Sequence, residues 1–177
     1  DDLYGGSIRL FTNIYEKNGV EFTYVGTSDL AAVQAAFKPN TKAVYIETPT
    51  NPMMEITDIR AVSNMAHDRN ALVIVDNTFL SPYFQKPLNL GADIVVHSGT
   101  KFIGGHHDVI SGFTIVNDES LAAQLRLVYK TVGACLSAFD SWLVIRGIKT
   151  LALRMEQHQK NAIDIAEWFN KETKVTK

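Results

Sequence analysis

Short apolar runs separated by longer amphipathic stretches dominate the pattern along this chain. Residues 71–75 (ALVIV) and 92–96 (ADIVV) are rich in β-branched side chains and too short for ordinary helices, so they are interpreted as buried strands. Another buried strand is predicted at residues 42–47, and further strands at residues 21–25 and 112–116. The pattern therefore predicts five short strands along the chain.

Between the strands, apolar residues recur at helical spacing, and Asp or Ser-Asp pairs stand where helices should begin. Six helices are predicted in this way: residues 6–18, ended by Gly19; helices that begin after Asp29, Asp58 and Asp118; and residues 137–146 and 148–169, with Gly147 as a break or kink between them. Helices that alternate with buried strands are typical of an α/β fold with a mostly parallel sheet.

Length and composition narrow the possible functions. The 177 residues are enough for one domain with a sizeable core, and the chain is 46% apolar and 20% charged, as ordinary globular proteins are. A net charge of −2 gives no electrostatic reason to expect nucleic acid or an anionic membrane as a partner. The single cysteine, Cys135, excludes an internal disulfide framework and a cysteine-ligated zinc site, and it suits a reducing cytoplasm.

The candidate chemistry lies where the two most apolar runs end. The first run leads into Asp76, and the second leads through Ser98 and Thr100 to Lys101. Ligands of open α/β sheets bind beyond the carboxyl ends of the strands. Pyridoxal 5'-phosphate (PLP) needs a Schiff-base lysine partly withdrawn from water, an acidic partner for its ring nitrogen, and hydroxyls for its phosphate. A solvated loop lysine and a carboxylate that caps a helix are the alternatives, and spacing alone leaves both open.

A resemblance adds to this interpretation. The segment HSGTKFIGGHHD, residues 97–108, resembles the lysine segment of the cystathionine lyase and synthase family, the PLP-dependent enzymes of cysteine and methionine metabolism. The likeness covers almost the whole chain, because further segments match that family in order. These segments are DDLYGGSIRLF (1–11), ETPTNP (47–52), VDNTFLSPYFQKPLNLGAD (75–93) and FDSWLVIRGIKTLALRMEQHQKNA (139–162).

The resemblance implies a role for each matching residue. Lys101 would form the Schiff base and then move the substrate's Cα proton, and Asp76 would pair with the pyridinium nitrogen. Tyr4 would stack on the cofactor ring and assist acid–base steps. The other matches are Ser98 and Thr100 at the phosphate, Asn51 near the ring hydroxyl, and Glu47 and Arg9 near the substrate channel.

Simpler roles stay open for several of these residues. The hydroxyls of Ser98 and Thr100 could merely satisfy nearby backbone groups. Asn51 could be a turn residue before Pro52, and Glu47 and Arg9 could be ordinary ion-pair partners. The stretch from Gly104 to Asp108 contains two adjacent histidines but no third ligand at a known spacing, so we expect no metal there.

The resemblance also implies a fold and an extent. We expect a three-layer αβα arrangement, the large PLP-binding domain of fold-type I PLP enzymes, in incomplete form. Because Asp1 to Gly6 reads as the end of a strand and its loop, the chain is interpreted as an internal fragment of a longer parent. Residues 1–170 would be part of that domain, and residues 171–177 would begin a linker to an absent C-terminal domain.

For the parent, the resemblance implies a cytoplasmic carbon–sulfur lyase that acts on cystathionine or a related sulfur amino acid by β- or γ-elimination. The alternatives are a cystathionine γ-synthase and a noncatalytic α/β binding domain or inactive remnant. Family members assemble as homodimers or homotetramers, and neighbouring segments complete their phosphate site. We therefore expect the fragment alone to bind PLP weakly or not at all, and we expect neither nucleic acid nor a membrane as a partner.

Overall fold

Four strands form one mixed sheet, in the order β1-β2-β3-β4. In the computed structural model, which describes residues 2–175, β1, β2 and β3 are parallel and β4 runs antiparallel to β3. The mostly parallel sheet expected from the sequence is thus confirmed. The strands are β1 (Ala43–Glu47), β2 (Leu72–Asp76), β3 (Ile94–Ser98) and β4 (Gly112–Ile115).

The strand predicted at residues 21–25 is wrong, because this segment pairs with no strand among the described residues. Its aromatic rings stack instead: the ring centroids of Phe22 and Phe11 lie 4.7 Å apart, and those of Phe22 and Tyr24 lie 6.3 Å apart. An aromatic, β-branched composition favours a strand only where cross-strand neighbours are available, so composition alone misled the prediction here.

The predicted helices are present, with local differences in geometry. The helix expected over residues 6–18 begins as α1 and continues through a π-helical turn (Phe11–Tyr15) and a 3-10 turn (Glu16–Asn18), then ends at Gly19, whose φ is 85°. A short 3-10 helix also spans Pro87–Leu90. The α-helices are α1 (Gly5–Leu10), α2 (Leu30–Ala36), α3 (Ile59–His67), α4 (Ser81–Phe84), α5 (Glu119–Val132), α6 (Ala138–Ile148) and α7 (Leu151–Lys171).

The helix caps predicted from the sequence are confirmed. Asp29, Asp58 and Asp118 each accept a hydrogen bond from the backbone N–H three residues further on, at 3.1, 3.0 and 2.7 Å. Each carboxylate thereby satisfies a donor that the first turn of a helix leaves without an intrahelical partner. These caps fix where α2, α3 and α5 begin.

One face of the sheet is covered by α2 and α3. Alternate residues of a strand point to opposite faces, and Ile46, Val73, Val75 and Val95 share the face that meets these helices. The opposite face carries Tyr45, Glu47, Asp76 and Ser98 toward the carboxyl ends of the strands, beside the apolar residues Ile74, Ile94 and Val96. The buried apolar core consists of Val33, Ile46, Ile59, Val62, Ala66, Ala71, Val73, Val75, Ala92 and Val95.

The chain divides into two compact units. Unit 1 contains the residues up to Ser98 together with Gly112–Cys135, and unit 2 contains Gly99–Ser111 and Leu136–Lys177. Within unit 2, the predicted break between the last two helices is present, but it lies at Lys149 and Thr150, since α6 runs through Gly147 to Ile148. Gly147 serves a close approach instead, because a Cβ built on it would overlap the carbonyl oxygen of Gly104.

Two expectations extend past the described residues: Asp1 of the first matching segment and residues 176–177 of the expected linker lie outside them. The α-helical part of α7 ends at Lys171, so the rest of the proposed linker within the described range is non-helical. Across residues 2–175, no helix combines the length and the apolar character that crossing a membrane requires.

Candidate active site

In unit 1, polar side chains gather on the sheet face that α2 and α3 leave uncovered, at the carboxyl ends of the parallel strands. Glu47 of β1 and Asp76 of β2 are register partners, so their side chains lie on the same face. Ser98 stands two residues beyond the register partner of Asp76 and shares that face. Asp76 and Ser98, predicted from separate apolar runs, are therefore brought together by neighbouring strands.

Three hydrogen bonds hold the Asp76 carboxylate. Oδ1 accepts the backbone N–H and the hydroxyl of Thr78, at 3.0 and 2.5 Å, and Oδ2 accepts the hydroxyl of Tyr45 at 3.2 Å. The Thr78 hydroxyl oxygen in turn accepts the backbone N–H of Ser98 at 2.8 Å. Thr78 thus connects the ends of β2 and β3 through the carboxylate, which cannot rotate without breaking this network.

Tyr45 acts as a donor to Asp76. Burial, and then the nearby Asp76 carboxylate, raise the pKa of the Tyr45 phenol well above its usual value, so the phenol keeps its proton. The hydroxyl also has a hydrogen bond with the side chain of Ser7, and the ring meets Phe11 edge-on at 5.4 Å. The segment that follows Tyr4 therefore packs on the sheet face that carries Glu47 and Asp76, and it fixes Tyr45.

Glu47 is a buried carboxyl, with only 7% of the residue exposed. Its Oε2 accepts the backbone N–H of Tyr4 at 2.8 Å, which ties β1 to the start of α1. Burial raises the pKa of Glu47 to about 7, the Tyr4 hydrogen bond opposes this shift, and the negative charges of Asp76 and Asp2 add to it. Glu47 can consequently gain or lose a proton near neutral pH.

Tyr4 is held by its backbone, yet the residue is 49% exposed. The ring lies directly over Gly6, because a Cβ built on Gly6 would overlap the Tyr4 ring carbons. The glycine therefore leaves room for the ring at the start of α1. An exposed, flat ring on a fixed backbone is compatible with stacking on a flat ligand.

The two predicted phosphate-binding hydroxyls differ in their availability. The Thr100 hydroxyl donates to the carbonyl oxygen of Ser111 at 3.2 Å and accepts the Ser111 N–H at 3.0 Å, as the simpler reading of a strand-end hydroxyl expects. The hydroxyl of Ser98 has no hydrogen-bond partner among residues 2–175, although its backbone N–H is bonded to Thr78. Ser98 is therefore the more available donor.

Lys101 lies in unit 2, three residues beyond the end of β3, and its side chain is exposed. The chain turns at this point, where the carbonyl oxygen of Lys101 accepts the N–H of Gly105 at 2.8 Å.

The remaining predicted residues have fewer contacts. Asn51 is half-buried in the loop after β1, and Arg9 is exposed on α1. An ion pair between Arg9 and Glu47 is absent, since the one ion pair among the described residues joins His67 and Asp93. Those residues also contain no cluster of three or more metal-ligating side chains, and His106 uses Nδ1 in a 2.7 Å hydrogen bond with the carbonyl oxygen of Gly104.

Comparison with known proteins connects this geometry with a family. The family model described as "Cys/Met metabolism PLP-dependent enzyme" matches residues 1–177. The chain belongs to this family. The resemblance inferred from the sequence motifs is thus confirmed, and the cofactor of the family is PLP.

Individual relatives differ in the activity that their names give. The chain is 49% identical to a cystathionine beta-lyase of Lactococcus lactis and 47% identical to a cystathionine gamma-synthase of Haemophilus influenzae. The first alignment includes 100% of this chain and the second 98%, and each includes 47% of the relative. A crystal structure of cystathionine gamma-lyase from Lactobacillus plantarum in complex with L-serine superposes with a TM-score of 0.98 at 48% identity, over 99% of this chain and 46% of that one. The chain therefore spans about half the length of these relatives.

The residues of unit 1 fit the cofactor of the family. A carboxylate offers about four lone-pair sites; three of those on Asp76 are occupied, so Oδ2 retains capacity for a ring N–H. The free hydroxyl of Ser98 is a suitable donor to a phosphate oxygen. The donor and acceptor sets therefore agree with PLP.

Sequence reasoning missed two side chains of this site. Tyr45 lies inside a predicted buried strand, where an aromatic residue is ordinarily part of the core, and nothing local marks its bond to Asp76. The position of Thr78 carried a usable signal, because an aspartate side chain commonly accepts the backbone N–H two residues further on in a small turn.

Proposed function

We propose that the full-length protein is a PLP-dependent carbon–sulfur lyase that acts on cystathionine or a related sulfur amino acid. The observation that carries the proposal is the Asp76 carboxylate, fixed by Thr78 and Tyr45 with acceptor capacity left on Oδ2. Membership of the Cys/Met metabolism PLP-dependent enzymes supports the class of chemistry. The names of the relatives include β-lyase, γ-lyase and γ-synthase, so the elimination step itself has to be tested.

The proposal gives each side chain a task. PLP, when bound, supplies an aldehyde for amine exchange and an electron-withdrawing ring. Lys101 Nζ would hold the aldehyde in the resting enzyme and afterwards accept the proton from the substrate's Cα. The carboxylate of Asp76 would keep a proton on the ring nitrogen. Membership of the family, together with the likeness of residues 97–108 to its lysine segment, supports the role of Lys101.

Further residues would bind and orient. Ser98 would donate to the phosphate directly, whereas Thr100 would have to exchange its present bond with Ser111. The Tyr4 ring would stack on the cofactor and help to move protons, and Asn51 would donate to the ring hydroxyl. We assign Glu47 and Arg9 to the substrate channel. Because Glu47 titrates near neutral pH, substrate binding there would depend on pH.

A product assay on the full-length protein tests the proposal. With PLP and cystathionine, homocysteine and pyruvate indicate β-elimination, whereas cysteine and 2-oxobutyrate indicate γ-elimination. Formation of cystathionine from cysteine and an activated homoserine indicates the γ-synthase, which the similarity to the Haemophilus enzyme favours as the second candidate. If none of these products forms, the proposal is overturned and a noncatalytic domain is favoured.

The attachment of PLP to Lys101 has a separate test. We expect borohydride treatment of the full-length protein with PLP to fix the cofactor onto the peptide that contains Lys101. Peptide mass spectrometry measures this directly, with a sample that lacks borohydride as the control. Modification of another lysine instead would remove Lys101 from its assigned role.

The proposal also covers extent, assembly and location. We assign residues 1–170 to the PLP-binding domain and residues 171–177 to a linker, and we propose a cytoplasmic homodimer or homotetramer. Large apolar side chains that a monomer leaves in water support assembly, because they favour burial against further protein. On α7 these side chains are Ile163, Ile165, Trp168 and Phe169, which are 45–55% exposed. Light scattering of the full-length protein tests the oligomeric state.

A further inference from the structure

The loop that carries Lys101, residues 99–105, is held through its backbone. We call it the lysine loop. The N–H of Gly104 donates to the carbonyl oxygen of Gly99, and the N–H of Gly105 donates to that of Lys101, both at 2.8 Å. These two bonds close the loop on itself, and they leave the carbonyl group of Phe102, the residue after Lys101, for an outside donor.

Arg154, in the first turn of α7, supplies that donor. Its Nη1 donates to the carbonyl oxygen of Phe102 at 2.6 Å, its Nη2 donates to that of Gly147 at 2.9 Å, and its Nε donates to the hydroxyl of Thr150 at 3.0 Å. One planar guanidinium therefore joins the lysine loop, the end of α6 and the start of α7. A lysine could not replace it, because an ammonium group on a flexible stem cannot present donors in this fixed fork.

The loop is shaped around this guanidinium. Gly105 has a φ of 73°, and a Cβ built on it would collide with the end of the Arg154 side chain, with Nη2 at 2.8 Å. Gly147 has no room for a Cβ against Gly104. Burial lowers the pKa of Arg154, which shows that its charge has given up part of its hydration in exchange for these contacts. The contact is therefore tightly packed on both sides.

We propose that Arg154 is a positioning residue for Lys101: it fixes the peptide next to Lys101 so that the free amine is presented from a rigid loop. This inference rests on the proposed function of Lys101. An amine that forms and breaks a covalent bond must move, whereas its Cα must stay in place for the reacting atoms to meet repeatedly at the required distance. Arg154 provides that fixed point without contacting the amine.

The test replaces Arg154 by lysine in the full-length protein and compares it with Arg146→Lys, an exposed arginine on α6. In the cofactor-free protein, we expect hydrogen exchange at the amides of Gly104 and Gly105 to accelerate about tenfold or more in Arg154→Lys. After PLP is added, we expect borohydride-fixed attachment at Lys101 to slow about tenfold, with Arg146→Lys unchanged. Thr150→Val removes the acceptor of Nε and the bond from the Thr150 hydroxyl to the carbonyl oxygen of Gly147, but it keeps both Nη bonds, so it should produce a smaller change in both measurements.

The outcomes separate this inference from the proposed function. Wild-type exchange and attachment in Arg154→Lys, with only a lower melting temperature, would overturn the positioning role. If PLP never attaches to Lys101 in the wild type, the proposed function fails, and unchanged exchange in the lysine loop would then reject Arg154 as well. Should Arg154→Lys fail to fold, Thr150→Val decides, since wild-type values for both measurements in that variant would contradict the inference.

Discussion

The carboxylate and the lysine of the candidate site are held in opposite ways. In unit 1, both oxygens of Asp76 are bonded to side chains or backbone, and the carboxylate has a single orientation. In unit 2, the Lys101 side chain is exposed, and only the backbone of its loop is anchored, partly through Arg154. This contrast suits the tasks proposed for the two residues. A group that holds a proton on a ring should be fixed in advance, whereas an amine that exchanges partners needs free torsions on a fixed backbone.

Removal of the Lys101 amine should have the largest effect on activity. We expect Lys101→Ala to lower kcat on the preferred sulfur amino acid at least about 10³-fold, because the nucleophile and the proton acceptor are lost together. Steady-state assays of the full-length protein measure this, with Lys160→Ala, an exposed lysine on α7, as the control. Substantial turnover by Lys101→Ala would exclude the assigned mechanism.

Neutralising the Asp76 carboxylate should have the next largest effect on activity. Asp76→Asn keeps an oxygen acceptor for Thr78 but loses the charge that would hold a proton on the ring nitrogen. We expect kcat to fall about 10²- to 10³-fold, as when a preorganised electrostatic group is removed. The matched control is Asp164→Asn on the exposed surface of α7. A folded Asp76→Asn protein with nearly full activity would assign the carboxylate to structure alone.

Whether an interaction could be predicted from the sequence depends on how many positions separate its two residues. The caps at Asp29, Asp58 and Asp118 involve residues three positions apart, and all three were predictable. Asp76 and Ser98 were found because apolar runs mark strands and strand ends mark sites. Tyr45 was missed, since its bond to Asp76 spans 31 positions and neither residue signals the other.

Arg154 and Gly147 show the same limit in unit 2. The bond from Arg154 to Phe102 spans 52 positions, so an arginine inside a helical pattern looks like any other surface residue. Gly147 was interpreted as a break because a glycine in a helix permits either a kink or a close approach, and the sequence does not distinguish them. The strand predicted at residues 21–25 was wrong for a related reason, because a strand depends on pairing partners that its own residues do not specify.

The pH dependence of the free energy of unfolding tests how firmly the carboxyl groups of unit 1 are held, and Glu47 is the group that should determine it. The pKa of Glu47 is raised from 4.5 to about 7 in the folded protein, so the folded state binds this proton more tightly than the unfolded state does. Its contribution to stability is therefore complete below about pH 4.5, is lost as the pH rises through 7, and is constant above that. The loss amounts to at most about 3 kcal/mol.

Glu47→Gln isolates this contribution, since an amide oxygen can still accept the N–H of Tyr4 but does not titrate. We expect the wild type to lose stability relative to Glu47→Gln between pH 4.5 and 7.5, as measured by urea unfolding at several pH values. Glu55→Gln, an exposed carboxyl, is the control. Wild-type and Glu47→Gln curves that stay parallel across this range would show that Glu47 does not titrate there.

The smallest effect is expected from the connection between the two strand ends. Thr78→Val keeps the shape of the side chain but removes the hydroxyl that donates to Asp76 and accepts from Ser98. A hydrogen bond to a charged group contributes about 1.5–3 kcal/mol, and the backbone N–H of Thr78 still holds Oδ1. We therefore expect the free energy of unfolding to fall by about 1–2 kcal/mol, and kcat to fall about tenfold because Asp76, with two bonds instead of three, is oriented less firmly.

Thr131→Val tests whether this loss belongs to the site. The Thr131 hydroxyl also makes one hydrogen bond, to the carbonyl oxygen of Leu127 at 2.8 Å, but on the exposed surface of α5. Its replacement should leave kcat unchanged. Unaltered kcat in Thr78→Val would mean that Tyr45 and the Thr78 backbone are enough to orient Asp76. The rigidity of the carboxylate would then come from the strand ends themselves, because the bonds that remain are made by a β1 side chain and by the main chain after β2.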